Sequence, residues 1–122
     1  MKHSPAFLQL VNDAQSRIRE VTVDETRRRM ASGAPVRVID VREDSEWAAG
    51  HAAGALHLGK GIIERDIEVQ VPEKSAEVIL YCGGGFRSVL ATDALQRMGY
   101  TNVASMAGGW RAWVDGGGPT EH

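Results

Sequence analysis

Cysteine is nearly absent from this chain. Its 122 residues contain one, Cys82, which excludes a framework of intrachain disulfides and favours a reducing compartment. The formal net charge of −2 gives no reason to expect binding to nucleic acid or to an anionic membrane surface. No apolar run approaches the roughly 20 residues of a membrane-spanning helix. Because residues 1–20 also lack the apolar core of a secretory signal, we expect a cytoplasmic protein.

Histidine is scarce in the part of the chain that is predicted to fold. His51 and His57 are the only histidines there, and with one cysteine they make no recognisable set of metal ligands. We therefore predict no metal and no cofactor. The remaining composition, 43% hydrophobic and 25% charged, is ordinary for a single globular domain.

The stretch VILYCGGGFRS, residues 78–88, organises the rest of the sequence. Its first four residues are apolar and predict a short buried strand. Cys82 follows, then three glycines. From Arg87 onward apolar residues recur at helical spacing, and Gly99 stands where a helix should end. The sequence thus places a thiol at the end of a strand, on a glycine-rich turn, at the start of a helix.

This arrangement is typical of a nucleophilic cysteine. Consecutive backbone N–H groups in such a turn can form a concavity that holds an anion, and the helix dipole adds partial positive charge. Both features, together with Arg87, favour a thiolate at Cys82. A buried structural cysteine is the alternative, but it has no use for three flexible glycines. A dinucleotide or Walker-type phosphate loop is weaker, because Ser88 stands where G-x-G-x-x-G needs glycine.

Predicted helices and strands alternate along the chain. Helices are expected at 5–19, 25–31, 62–68, 87–98 and 110–114, and strands at 20–23, 36–41, 55–58, 78–81 and 100–106. A short helical stretch followed by a Gly-rich turn is expected within 43–55. Ser4 and Asp24 are the expected caps of the first two helices. Alternation predicts a largely parallel sheet with helices on both faces, and ligands bind beyond the carboxyl ends of its strands. Cys82 lies at such an end.

We divide the chain into an N-terminal helical extension (1–19), one domain (20–114) and a flexible glycine-rich tail (115–122). Five motifs in the domain resemble, as an ordered set, those of a single-domain rhodanese, a thiosulfate-type sulfurtransferase. In chain order they are D-V-R (40–42), E-W (46–47), G-H-x-x-G-A (50–55), C-x-x-G-x-R (82–87) and G-G-W (108–110). Ala52 and Ala53 replace bulkier residues common in the G-H motif, which we expect to change packing only.

The resemblance implies a rhodanese-like α/β fold with a mostly parallel five-stranded sheet, the Cys82 strand in its middle and helices on both faces. It also implies catalysis by a covalent persulfide on Cys82. The thiolate takes sulfur from thiosulfate or a similar donor and passes it to cyanide or a thiol. The expected substrate-binding residues are Gly83, Gly84, Gly85, Phe86 and Arg87.

Three further side chains have less direct roles in this interpretation. Asp40 and Arg42 are expected to support the loop as a structural ion pair or capping set. His51 is expected to hydrogen-bond within its own turn. None of the three is predicted to carry out chemistry.

Two other functions remain open. A cysteine phosphatase also places a thiolate in a loop that ends in arginine, but its pattern has five residues between the two, and this chain has four. A rhodanese-like binding module usually lacks the nucleophile, which is present here. Within sulfur transfer, the protein is either an enzyme acting on small molecules or a persulfide carrier that serves a protein acceptor.

Overall fold

The structure is a computed structural model that describes residues 3–122. Its helices are α1 (Pro5–Gln15), α2 (Val23–Ala31), α3 (Asp44–Ala49), α4 (Ile63–Gln70), α5 (Arg87–Arg97) and α6 (Gly109–Asp115). Its strands are β1 (Arg19–Val21), β2 (Arg37–Asp40), β3 (His51–Ala52), β4 (Leu56–His57), β5 (Val78–Tyr81), β6 (Val103–Met106) and β7 (Thr120–Glu121). Over residues 3–122, no helix combines the length and the apolar character needed to cross a membrane.

Five of the strands form one parallel sheet in the order β1-β6-β5-β2-β4. The register places Leu80 of β5 between Ile39 of β2 and Ser105 of β6. The strand that leads to Cys82 is therefore the middle one. The predicted fold class is confirmed, including the parallel sheet and the central position of this strand.

The alternation of side chains along β5 builds a core on each face of the sheet. Val78 and Leu80 pack with residues of α4 and α5, whereas Ile79 and Tyr81 pack with residues of α2 and α6, among them Trp113. All four β5 side chains are buried, and each buried side chain of this size contributes about 1.5–3 kcal/mol. Helices on both faces thus fix the end of β5.

The N-terminal helix α1 packs on α5. Ser4 caps it by accepting a hydrogen bond from the Phe7 amide at 3.3 Å, as predicted. Val11 and Ala14 are buried in one cluster with Val89 of α5. The helix therefore covers the domain, while the proposed boundaries at residues 19/20 and 114/115 stay predictions.

The cap of α2 differs from the prediction. Thr22, and not Asp24, is the N-cap: its hydroxyl accepts from the Glu25 amide at 3.0 Å. The Glu25 carboxylate in turn accepts from the Thr22 amide at 3.2 Å. The reciprocal pair satisfies two amides of the first turn, which a cap by Asp24 alone would not do.

The C-terminal tail also differs from the prediction. We expected a flexible segment over 115–122, but Thr120–Glu121 pairs in antiparallel fashion with His51–Ala52. The indole N–H of Trp113 donates to the Pro119 carbonyl at 2.8 Å. A buried indole needs such an acceptor, so the tail folds back over α6 and follows a defined path.

Candidate active site

Cys82 lies directly after β5 and is 1% exposed. Its Sγ accepts a hydrogen bond from the Gly85 amide at 3.2 Å. Gly85 has a φ of +101°, a conformation that favours glycine. The glycine at this position therefore lets the loop turn back so that one of its amides reaches the sulfur.

The other amides of the loop have no acceptor in the described part of the chain. Among residues 3–122, none accepts a hydrogen bond from the N–H groups of Gly83, Gly84, Phe86 or Arg87. Unpaired amides on consecutive residues can bind an anion. The structure thus brings together the loop residues that the sequence predicted as a binding site.

Helix α6 holds the loop from its other side. The amides of Trp110 and Arg111 donate to the carbonyls of Cys82 at 2.7 Å and Gly83 at 3.2 Å. Gly109 has a φ of +55°, and a Cβ there would overlap the Cys82 carbonyl. The close approach of the two backbones requires glycine, which gives the G-G-W motif a structural reason.

Arg87 is held by a carboxylate that the sequence interpretation had not assigned a role. Its Nη1 and Nη2 donate to Oε1 and Oε2 of Glu46 at 2.9 and 3.3 Å. The hydrogen bonds from Arg87 hold the pKa of Glu46 below its ordinary value and raise that of Arg87. The local signal was the E-W motif, but nothing in the sequence pairs it with Arg87.

Asp40 and Arg42 form a buried ion pair. Nε of Arg42 donates to both carboxylate oxygens at 3.0 Å, and Nη2 donates to Oδ2 of Asp40 and to the Gly50 carbonyl, each at 2.7 Å. The guanidinium lies 4.8 Å from the centre of the Trp110 ring. Because Trp110 also donates to the Cys82 carbonyl, the pair contacts a residue that positions the loop.

A second pair of side chains missed by sequence reasoning lies behind the thiol. The Ser88 hydroxyl is 3.5 Å from Cys82 Sγ and 2.8 Å from the Ser105 hydroxyl. Both serines are fully buried. Ser105 belongs to the neighbouring strand β6, so no local pattern could have joined it to Cys82.

The two histidines of the domain form hydrogen bonds with backbone carbonyls. Nδ1 of His51 is 2.9 Å from the Trp47 carbonyl, within its own turn as expected, and Nε2 of His57 is 2.9 Å from the Arg42 carbonyl. Within the described part of the chain, no cluster of three or more His, Cys, Asp or Glu side chains could hold a metal.

An open groove of about 1240 Å³ lies over Cys82. The start of α1 forms one wall, where Phe7 makes an edge contact with the Phe86 ring at 6.3 Å between centroids. Helix α6 contributes to the lining as well. The charged and aromatic groups that line the groove are His3, Phe7, Arg42, Glu46, Phe86, Arg87, Trp110, Arg111 and Asp115.

Comparison with known proteins shows the family to which the chain belongs. Residues 22–115 match the family described as the rhodanese-like domain, and the chain belongs to that family. Thiosulfate sulfurtransferase 16 of Arabidopsis thaliana, a chloroplastic protein, is 35% identical over 95 residues, which are 70% of this chain and 79% of that protein. A mitochondrial relative from Schizosaccharomyces pombe, a putative thiosulfate sulfurtransferase, is 33% identical over 89 residues, 64% of this chain and 63% of its own length. These matches support sulfur transfer in general.

A solved structure covers nearly the whole chain. It is a protein of unknown function from Rhodopseudomonas palustris, described as a possible tyrosine phosphatase. It superimposes with a TM-score of 0.85 at 30% identity, over 99% of this chain and 98% of that one. The fold of the described chain, including α1, thus recurs in another protein.

Proposed function

We propose that the protein is a sulfurtransferase that carries sulfur as a persulfide on Cys82. The donor is thiosulfate or a chemically similar compound with a transferable outer sulfur. The acceptor is a thiol in the cell, or cyanide in the test tube. The observation that carries the proposal is a thiol in a loop whose neighbouring amides have no partner in residues 3–122.

Loading begins with the Cys82 thiolate, whose Sγ already accepts the Gly85 amide. The sulfur attacks the outer sulfur of thiosulfate, an S–S bond forms, and sulfite leaves with the electron pair of the broken bond. The new terminal sulfur carries charge. The free amides of the loop stabilise it, as preorganised donors stabilise developing anions in other enzymes. Arg87 binds the donor, and the Asp40–Arg42 pair supports the loop through Trp110.

Discharge needs a second nucleophile. A thiolate or cyanide attacks the terminal sulfur, and Cys82 leaves as the regenerated thiolate, which completes a two-step covalent cycle. The groove of about 1240 Å³ has room for an acceptor much larger than cyanide. A protein that carries its own thiol is therefore a second candidate acceptor. The single cysteine supports the cytoplasm as the proposed compartment.

Intact mass tests the proposal directly. Thiosulfate should make the protein heavier by one sulfur atom, and cyanide should reverse this with release of thiocyanate. Cys82→Ser should abolish the adduct while its circular dichroism stays native. An unchanged mass in the wild type, with Cys82 shown to be free and reduced, would contradict the persulfide mechanism.

A cysteine phosphatase is the second candidate, because the structural neighbour from R. palustris is described as a possible tyrosine phosphatase. The loop argues against it, since only four residues separate Cys82 from Arg87. We expect no turnover of aryl phosphates by the wild type under conditions in which thiosulfate loads Cys82.

A further inference from the structure

The buried hydroxyls behind Cys82 form a chain of hydrogen bonds that all donate in the same direction. Among residues 3–122, the Ser105 hydroxyl has a single hydrogen-bond partner, the Ser88 hydroxyl at 2.8 Å. Ser88 has two side-chain partners, Ser105 and the Cys82 sulfur at 3.5 Å. The longer second distance suits sulfur, whose radius exceeds that of oxygen. Both serines are 0% exposed, so solvent is not a competing partner for their hydroxyls.

The protons of the two hydroxyls fix the direction. If Ser88 donated to Ser105, the Ser105 proton would be buried without an acceptor among the described residues, and buried donors are almost always paired. If Ser105 donates to Ser88, the Ser88 proton points to the sulfur and every proton is used. The second arrangement requires Cys82 Sγ to act as an acceptor, which a thiolate does far better than a thiol.

We propose that Ser88 and Ser105 form a hydroxyl relay that stabilises the Cys82 thiolate, with Ser105 as the positioning residue that directs the Ser88 proton to the sulfur. In the cycle proposed above, on which its kinetic role rests, the relay assists both steps. It increases the thiolate fraction available for loading near neutral pH. It also makes Cys82 a better leaving group in discharge, when the S–S bond breaks and its electron pair returns to Sγ.

A merely structural role is the competing explanation, because the two serines also join α5 to β6. The chain offers a matched control on the same helix. Thr92 is also fully buried, and its hydroxyl donates to the Ser88 carbonyl at 2.7 Å without contacting the sulfur. Thr92→Val therefore removes a buried hydroxyl of similar structural value while leaving the relay intact.

The experiment is the pH dependence of Cys82 alkylation by iodoacetamide in the reduced protein. Ser88→Ala should move the profile to higher pH by about one unit, the size expected for one hydrogen bond to a charged group. Ser105→Ala should move it in the same direction by less, and Thr92→Val should leave it in place. The charged and titratable groups near the thiol are unchanged in all three variants. They are those that line the groove, His3, Arg42, Glu46, Arg87, Arg111 and Asp115, together with Asp40, the buried partner of Arg42.

Each serine variant deletes a single oxygen, so thermal unfolding should show native folds. An unshifted profile for Ser88→Ala, or an equal shift for Thr92→Val, would overturn the relay. Alkylation needs no sulfur donor, so this result is independent of whether thiosulfate loads Cys82. As a second readout, Ser88→Ala loaded with thiosulfate at high pH should discharge to dithiothreitol more slowly than the wild type.

Discussion

Glu46 accepts two hydrogen bonds from Arg87, at 2.9 and 3.3 Å, and both side chains line the groove. The carboxylate thus offsets the charge that the proposed donor site would use to attract an anion. Thiosulfate carries two negative charges and competes with Glu46 for the same guanidinium. We therefore expect Glu46 to weaken the binding of dianionic donors.

Glu46→Gln should therefore increase kcat/KM for thiosulfate by about fivefold, mainly through KM, because a partly exposed ion pair is worth up to about 1 kcal/mol. The gain should shrink at high salt. Asp115→Asn is the matched control, since it removes a negative charge from the same groove without contacting Arg87. A fall in kcat for Glu46→Gln would instead show that the carboxylate is needed to position Arg87.

Gly109→Ala should lower sulfur transfer by about 10²-fold or more, the loss typical of displaced anion donors. The new Cβ would overlap the Cys82 carbonyl and push the loop away from α6. Gly117→Ala is the control: its φ of +75° is also positive, but a Cβ there meets nothing within 4 Å. Steady-state rates and thermal unfolding should be measured for both. Equal losses would mean that backbone strain alone, and not the overlap with the loop, explains the effect.

The length of the loop should determine the substrate class. A glycine inserted between Gly84 and Gly85 should displace the Gly85 amide from the sulfur and reduce transfer by about 10²-fold or more. An insertion after Gly33, where a side chain would have open space, should have little effect. Rates with thiosulfate and with an aryl phosphate should be compared. A native rate of sulfur transfer in the first variant would refute the role proposed for the loop amides.

The loaded protein should stay a persulfide until an external nucleophile is added. The chain has no second cysteine to resolve the adduct, and the 1% exposure of Cys82 keeps two chains from reacting with each other. After removal of thiosulfate, intact mass should be stable for hours, and glutathione or dithiothreitol should restore the reduced mass. Disulfide-linked dimers on non-reducing gels, formed without added thiol, would show that the site is open.

Acid should weaken the attachment to α5 of the segment that follows α1, which contains Arg17. Two hydrogen bonds from Arg17 hold the pKa of Asp93 below its ordinary value of 3.8. A carboxylate with a lowered folded pKa stabilises the protein above about pH 4, and this stabilisation is lost as the pH falls through the folded pKa. Asp93→Asn should lower the urea unfolding midpoint at pH 7. The difference between the midpoints at pH 7 and pH 3 should therefore be smaller in the variant than in the wild type.

The other acidic partner of Arg17 supplies the control for this effect. Asp13 also binds Arg17, at 2.9 Å, but its side chain is 71% exposed. Asp13→Asn should therefore change the urea midpoints little. Equal changes in the urea midpoints of the two variants would contradict the claim that the Arg17–Asp93 pair causes this pH dependence.

Local patterns in the sequence were enough to predict the sheet and the loop that carries Cys82. The apolar run at Val78–Tyr81 and the helical spacing from Arg87 match β5 and the start of α5. The two-residue strands β3 and β7 were not predicted, because so short a segment shows no periodicity of apolar residues. The T-x-x-E pattern of Thr22 and Glu25 is typical of a capping box, and the prediction of Asp24 as the cap did not use it.

The missed parts of the site share one physical cause. Glu46 with Arg87, and Ser88 with Ser105, are pairs that only the tertiary fold brings together. Each of these residues is ordinary within its own segment. A glutamate is common in the first turn of a helix, and a serine is neutral in a helix or a strand. The C-x-x-G-x-R loop was recognisable because all of its parts are contiguous.

The hydrogen bonds from α6 to the Cys82 loop make two amides of α6 reporters of the state of the loop. The amide protons of Trp110 and Arg111 are bound to carbonyls of Cys82 and Gly83, so they can exchange with deuterated water only when the loop and the first turn of α6 separate. Exchange at these two amides therefore measures the opening free energy of the loop. The loop's motion can thus be followed in the native protein without a label on the thiol.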